Sequence, residues 1–301
     1  MWIKEPGKIT DRIDFLGTHQ ICLYLIKGKE YMIVGGGMSY IAPSLEKQFS
    51  AMAVDLSKIK YLVIPHSHFD HCGAVPYLKR KFPQMQILAS SYSHEVLAKK
   101  KVIEFISSGN KDMIENFGLQ DEYERLNLKF DGIYVERIVK EDNVIDLGDG
   151  IEAHFIETPG HTKCSIAVYI PELKAMFPSD AAPCPLEDTS DLVSPSPQYD
   201  FTLYMESLIK INSYDVEICC FDHHGAFVGD QAQRILRQGL EETEKFKNSV
   251  LELYQQTDDL DEITQKLITD SPAGSQVDFL NLELKRTITK AAVHKILGLP
   301  S

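Results

Sequence analysis

Residues 66–71 read HSHFDH, which puts His66, His68, Asp70 and His71 within six positions. Neutral imidazole nitrogens and carboxylate oxygens are the donors that zinc, iron and manganese accept. In extended backbone His66 and His68 stand at i and i+2 and project to the same side, so they can share one ion. Asp70 and His71 follow where the chain turns towards a helix, and they can face a second ion. Three later stretches supply what this cluster lacks. TPGHT (158–162) offers His161, FPSDAAP (177–183) offers Asp180, and CFDHHGAF (220–227) offers His223 and His224. A lone histidine on a Pro-Gly turn is more often structural than a ligand, and a lone aspartate is more often a cap. The ordered set is what argues for a metal centre.

Each of these stretches follows an apolar run that reads as a strand. KYLVI (60–64) precedes the first cluster, 151–157 precedes His161, 173–178 precedes Asp180, and 215–221 precedes the histidine pair. Loops at the carboxyl ends of neighbouring strands meet on one rim of a sheet scaffold. Further strands are expected at 20–27, 30–34, 85–89, 133–139, 143–147 and 164–170. Gly148-Asp149-Gly150 joins 143–147 to 151–157 as a hairpin. The triple glycine at 35–37 reads as a tight turn out of a strand, because no phosphate-cradling pattern surrounds it.

Helices are expected over 42–54, from about Gly73 to Lys81, through the charged stretch 91–129, and from Asp230 to the end. The 91–129 stretch reads as a helical insertion forming a wall of the site. Asp230 reads as an N-cap. Beyond it Leu236, Leu240, Thr243, Phe246, Val250 and Tyr254 recur at helical steps, and breaks at TDDLD (257–261) and SPAGS (271–275) divide the tail into three helices. The expected organisation is a catalytic domain over 1–230 and a helical extension over 231–301 that could cap the site.

Composition narrows the classes. The 301 residues include 44% hydrophobic and 25% charged, ordinary values for a globular chain with a substantial core. With 44 acidic against 31 basic residues the formal net charge is −13, which works against nucleic acid and anionic membranes as partners. No run approaches the roughly 20 apolar residues of a membrane helix, and MWIKEPGKITDR lacks the apolar core of a signal peptide, so a cytoplasmic location is expected. The six cysteines, Cys22, Cys72, Cys164, Cys184, Cys219 and Cys220, form no CxxC pair and no disulfide framework. They read as reduced core residues, with Cys72 and Cys184 next to the site.

The order HSHFDH, PGH, SD, HHG resembles that of the metallo-β-lactamase superfamily over residues from about 15 to 230. The resemblance implies an α/β fold, an αββα sandwich, here with a helical C-terminal extension, and a centre for two divalent ions, zinc or iron, with manganese as a further option. It implies that His66, His68 and His161 hold the first ion, that Asp70, His71 and His224 hold the second, and that Asp180 bridges them. His224 is preferred to His223 because it directly precedes Gly225, as the ligand usually does in this family. Asp70 and Asp180 are the carboxylates placed for catalysis. One departure is plain: Gly35 stands where many members carry the aspartate of an Asp-Thr-Gly turn that supports a ligand histidine, so that support must come from elsewhere.

Two ions sharing a water lower its pKa to near 7, which makes hydrolysis the default reaction. No GxSxG motif is present, so no serine nucleophile competes. His68 stands where the flavodiiron redox proteins usually have Glu. Too few residues separate Asp180 from His224 to hold the inserted domain of the β-CASP nucleases. HFDHCGAVPYL (68–78) and SQVDFLNLEL (275–284) are similar to stretches of the alkylquinolone-signal-response (PqsE-like) thioesterases. That likeness implies a thioester or ester substrate of the acyl-CoA or acyl-glutathione type, and a helical lid. Lys285, Arg286 and Lys290 could meet an anionic carrier, although a solvated helix face is the stronger reading. A lactonase or other carboxylic-ester hydrolase is the alternative on the same centre. A regulatory or interaction protein with a slow or vestigial site is the alternative from another class. A homodimer is one assembly open to the chain.

Overall fold

Alternation of side chains along the strands decides the layers. The computed structural model describes residues 1–186, 189–270 and 282–299, without the side chains at 189–192 and 270. The SPAGS break and most of the SQVDFLNLEL stretch lie outside the described residues.

The first half runs β1 (Trp2–Ile3), β2 (Gly7–Lys8), β3 (Ile13–Gly17), β4 (Cys22–Lys27), β5 (Tyr31–Val34), α1 (Ala42–Ala51), β6 (Ile59–Val63), α2 (Val75–Lys81) and β7 (Gln86–Ala89). Then come α3 (Ser91–Leu97), α4 (Lys100–Asn116), α5 (Gln120–Arg125) and β8 (Arg137–Ile138). The second half runs β9 (Val144–Gly148), β10 (Ile151–Glu157), β11 (Ile166–Ile170), β12 (Ala175–Phe177), β13 (Cys184–Leu186), β14 (Thr189–Ser194) and α6 (Phe201–Asn212). It closes with β15 (Ile218–Cys220), β16 (Ala226–Val228), α7 (Asp230–Gln256), α8 (Leu260–Asp270) and α9 (Leu282–Ile296).

Two seven-stranded sheets result, ordered β2-β3-β4-β5-β6-β7-β8 and β1-β16-β15-β12-β11-β10-β9. The first is antiparallel as far as β5 and parallel from β5 to β8. Along β4, Cys22, Tyr24 and Ile26 face the second sheet, where Phe155, Val168 and Phe177 meet them. Leu23 and Leu25 face the opposite way, onto Leu45 and Phe49 of α1, Leu78 of α2 and Ile106 of α4. The outer face of the second sheet is covered by Tyr204 and Leu208 of α6 and by Ile235 and Leu236 of α7. The architecture is therefore an αββα sandwich. Cys219 joins this outer core and Cys220 the inner one, as opposite faces of a strand require.

Val250 of α7, Ile263 of α8 and Val293 of α9 form a small fourth core. The far half of α7 thus leaves the sandwich and carries α8 and α9 with it. No helix among the described residues is long and apolar enough to cross a membrane.

Some elements differ from expectation. The strand expected over 133–139 is only Arg137–Ile138, paired at the edge to β7. α6 was not expected; its N-cap is Asp200, whose carboxylate accepts from Leu203 N at 2.9 Å. Asp230 is the first residue of α7 rather than its cap, which is Gly229. The glycine turn does more than end a strand. A Cβ on Gly36 would meet Val75 Cγ2 at 2.5 Å and His71 O at 2.6 Å. The bare backbone instead lets Gly36 N donate to His71 O at 3.0 Å and pins the metal loop to β5.

Candidate metal centre

β6 ends at Val63, and the chain bends at His66 and again at His68, whose own backbone is extended, before a short 3-10 turn at Phe69–His71. The turn carries Asp70 and His71 round to the other side of the loop. β10 delivers His161, β12 delivers Asp180 and β15 delivers the histidine pair, each just past its last residue.

Two clusters result. His66, His68, His161 and Asp180 each offer a ligand atom within 4.8 Å of the others, and so do Asp70, His71 and His223. Asp180 lies between the clusters. Its Oδ2 is 3.6 Å from His66 Nε2, 3.3 Å from His161 Nε2 and 3.2 Å from His71 Nε2, while its Oδ1 is 3.8 Å from His223 Nε2. Asp70 Oδ2 is 3.4 Å from His71 Nε2 and 3.6 Å from His223 Nε2.

Six of the seven expected ligands come together; His224 does not. Its backbone has a left-handed φ of 64°, and its Nδ1 lies 3.2 Å from His19 Nε2. The preceding histidine, His223, faces Asp70 in its place. The rule of the histidine before the glycine therefore misleads here. A left-handed residue followed by Gly225, itself at φ 90°, swings the second ring to the far side.

The remaining ring nitrogens are held from behind. Asp222, 3% exposed, places Oδ2 2.8 Å from His71 Nδ1 and accepts from Ser179 Oγ at 2.6 Å. Ser179 Oγ in turn lies 3.2 Å from His66 Nδ1. One buried carboxylate thus orients a histidine from each cluster, which answers the missing aspartate at position 35. Ser196 O lies 2.7 Å from His161 Nδ1, and Gln20 O lies 2.6 Å from His223 Nδ1. Asp222 and Ser179 were not picked out from the sequence, though each adjoins a ligand: Asp222 precedes the histidine pair and Ser179 precedes Asp180.

These residues fit a metal. His66 Nε2 and His71 Nε2 are buried and make no hydrogen bond. Leaving such atoms unsatisfied costs about 1–3 kcal/mol each, so a buried pair aimed at carboxylates suits a bound cation. Burial holds the His66 imidazole well below its ordinary value, with His71 and His68 adding to the shift. Burial, with His161 beside it, holds His68 down to about 3. Both are therefore neutral imidazoles, each keeping a lone pair on one ring nitrogen. Burial raises the Asp180 carboxyl, but His71 and His161 outweigh it and keep it ionised.

His68, Asp70, His161, Asp180 and His223 line a cavity of about 770 Å³. Phe105 of α4 and residues of α7, α8 and α9 form other parts of its wall, so the C-terminal helices share the cavity that holds the metal ligands. Arg286 hydrogen-bonds Gln265, and Lys290 pairs with Asp261 at 2.7 Å. Those two cations tie α9 to α8, whereas Lys285 lines the cavity. All six cysteines are free thiols; Cys184 lines the cavity and Cys72 is buried.

A sequence profile described as the metallo-beta-lactamase superfamily matches residues 17–224. The beta-lactamase-like protein 2 homolog of Caenorhabditis elegans is 23% identical over 289 residues, covering 92% of this chain and 83% of that one. The metallo-beta-lactamase fold-containing protein ST1585 of Sulfurisphaera tokodaii is 25% identical over 189 residues, covering 63% and 69%. The family protein TTHA1429 of Thermus thermophilus superposes with a TM-score of 0.67 at 15% identity, over 96% of this chain and 94% of that one. The rubredoxin oxygen:oxidoreductase of Desulfovibrio gigas does so with 0.55 at 17%, over 84% and 69%. At such identities the structural likeness speaks for the fold alone. The profile, however, spans well over half the sequence, and the chain belongs to the metallo-beta-lactamase superfamily, whose members are mostly metal-dependent hydrolases.

Proposed function

We propose that the protein hydrolyses an acyl thioester, of the acyl-CoA or acyl-glutathione kind, at a centre for two divalent ions. The observation that carries this reading is the position of Asp180, whose carboxylate touches both ligand clusters at the wall of one cavity. When bound, divalent ions lower the pKa of water and polarise a carbonyl oxygen. The protein's own part is positional. His66, His68 and His161 would hold one ion, Asp70, His71 and His223 the other, and Asp180 would touch both.

Asp222 holds His71 and, through Ser179, His66 in fixed ring orientations, so the centre needs little reorganisation during reaction. The carboxylates can also hold a proton as the carbonyl adds and collapses. Asp70 and Asp180 both line the cavity and are partly buried, so both are placed for this. A thiolate departs with little protonation, so a thioester makes little demand for an acid at its leaving group. Carboxylic esters and lactones need the same carbonyl chemistry and are the second reading.

The test is elemental analysis of the purified protein together with a panel of acyl-CoA, acyl-glutathione, ester and lactone substrates. About two ions per chain with thiol release supports the proposal. Preferred release of alcohol from esters moves the assignment to the second reading. A full metal complement with no turnover on any class overturns both.

A further inference from the structure

The cavity continues away from the metal ligands. The metal end lies beside Gly239 in the third turn of α7, where a Cβ would touch Pro183 Cδ at 3.0 Å, three residues past Asp180. From there α7 presents Glu242, Lys245, Phe246, Ser249, Glu252, Leu253 and Gln256 to the cavity. Those steps of three and four place them on one helix face, and the stretch spans about 21 Å. The cavity is therefore a trough rather than a cup.

Most of its wall surface is apolar. Leu267 and Ile268 of α8 and Leu284, Ile288 and Ala291 of α9 line it opposite α7. Phe246, Leu253 and Leu267 pack one side into the small core of the three helices. They still show a face to the trough. At the mouth Phe105 is 64% exposed, an apolar ring left in water beside the metal ligands, held edge-on to Phe69 at 6.0 Å between centroids. Of the charged residues on the trough's walls, Glu242 and Lys245 pair with each other at 2.7 Å and Lys266 pairs with Glu262 at 2.8 Å, while Glu252 and Lys285 also line the trough.

We propose that this trough is an acyl-binding subsite, and that the substrate is an ester or thioester of an extended, uncharged aliphatic acid. The inference rests on the hydrolase reading above and adds the acyl group to it. A short acyl group would reach the metal ligands but leave the trough in water. An extended chain covers Phe105 and the inner faces of Phe246, Leu253 and Ile288, and each added methylene contributes to binding. Discrimination by chain length should therefore appear in KM more than in kcat, because the contacts are the same in ground and transition states.

The experiment uses the metal-loaded full-length protein and a series of acetyl, butanoyl, octanoyl and dodecanoyl thioesters and nitrophenyl esters. In parallel, calorimetry measures binding of acetate and laurate, which need no turnover. The expected result is a kcat/KM at least about tenfold higher for dodecanoyl than for acetyl, and laurate binding at least about tenfold tighter than acetate. Ala291→Phe fills the trough from α9. It should cut the dodecanoyl-to-acetyl ratio by about tenfold and weaken laurate alike; circular dichroism and metal content verify that the variant folds. Leu253→Asp, on the opposite wall, is a second variant expected to act in the same direction. Equal kcat/KM along the series with no laurate preference overturns the subsite while leaving the hydrolase reading standing. Tight laurate binding without hydrolysis of any member upholds the subsite and sinks the hydrolase reading instead.

Discussion

His223 and His224 are neighbours in the chain, yet their imidazoles meet different partners: His223 Nε2 lies 3.6 Å from Asp70 Oδ2, and His224 Nδ1 lies 3.2 Å from His19 Nε2. The second histidine is built into the fold rather than the site. Its backbone N donates to His19 O at 2.8 Å, and its carbonyl accepts from Trp2 Nε1 at 2.7 Å. His223→Ala should therefore lower the metal content by about one ion per chain, while His224→Ala should retain the full complement. Mass-spectrometric metal analysis of both variants decides it, and a loss confined to His224→Ala would reverse the assignment.

Asp222 serves a histidine of each cluster, directly at His71 and through Ser179 at His66. Asp222→Asn keeps the shape but removes the charge that fixes both rings. We expect metal affinity to fall by about 10–100-fold, measured by competition with a chelator of known affinity. An unchanged affinity would mean that the rings are held by packing alone.

Asp180 is the carboxylate that both clusters touch. Asp180→Ala should reduce turnover on any accepted substrate by about 10²-fold or more, with a native circular dichroism spectrum. Wild-type activity in a properly folded Asp180→Ala protein would falsify the shared-carboxylate role.

The trough depends on the small core of α7, α8 and α9. Val293 is wholly buried there with Val250 and Ile263. Val293→Ala should loosen this core by about 1–2 kcal/mol without reaching the sheets. Hydrogen exchange should rise in α8 and α9 and stay unchanged in β4 and β11. A uniform rise through both sheets would show that the three helices unfold with the sandwich rather than before it.

α1 and α2 are tied by Glu46, which accepts from Tyr77 Oη at 2.6 Å and lies 2.7 Å from Lys81 Nζ. Burial raises the Glu46 carboxyl, but Lys81 and Tyr77 outweigh it and the net shift is downward from 4.5. A lowered carboxyl stabilises the fold above its ordinary value, and that stabilisation is lost as pH falls through the folded value. The pair is partly exposed, so Glu46→Gln should cost about 0.5–1 kcal/mol at neutral pH, and the difference should close in acid. Urea titrations at about pH 7 and about pH 3 test the sign; a gap that persists in acid would trace to hydrogen bonding rather than charge.

Much of the sandwich was legible in the sequence, because strand periodicity and glycine turns are local. β4, β5, β6, β10 and β12 fall within a residue or two of where apolar runs place them. The edge and cap elements were not legible. β13 and β14 lack strong periodicity and owe their form to what they pack on, whereas α6 does repeat at helical steps, through Tyr204, Leu208 and Ile211. Six of the seven expected ligands come together, since the order of His and Asp along strand ends is itself a statement about one rim.

What the order of residues determined by itself was the donor chemistry: imidazoles and carboxylates at successive strand ends suit a divalent metal, and local spacing is enough to show it. What only the tertiary structure decided was which way each ring points and what stands behind it. His223 replaces His224 because of one left-handed backbone turn, Asp222 reaches His71 across 151 positions of sequence, and helices far along the chain wall the site. Ring direction and long-range support depend on dihedral angles and packing, and no local pattern of residue types records either.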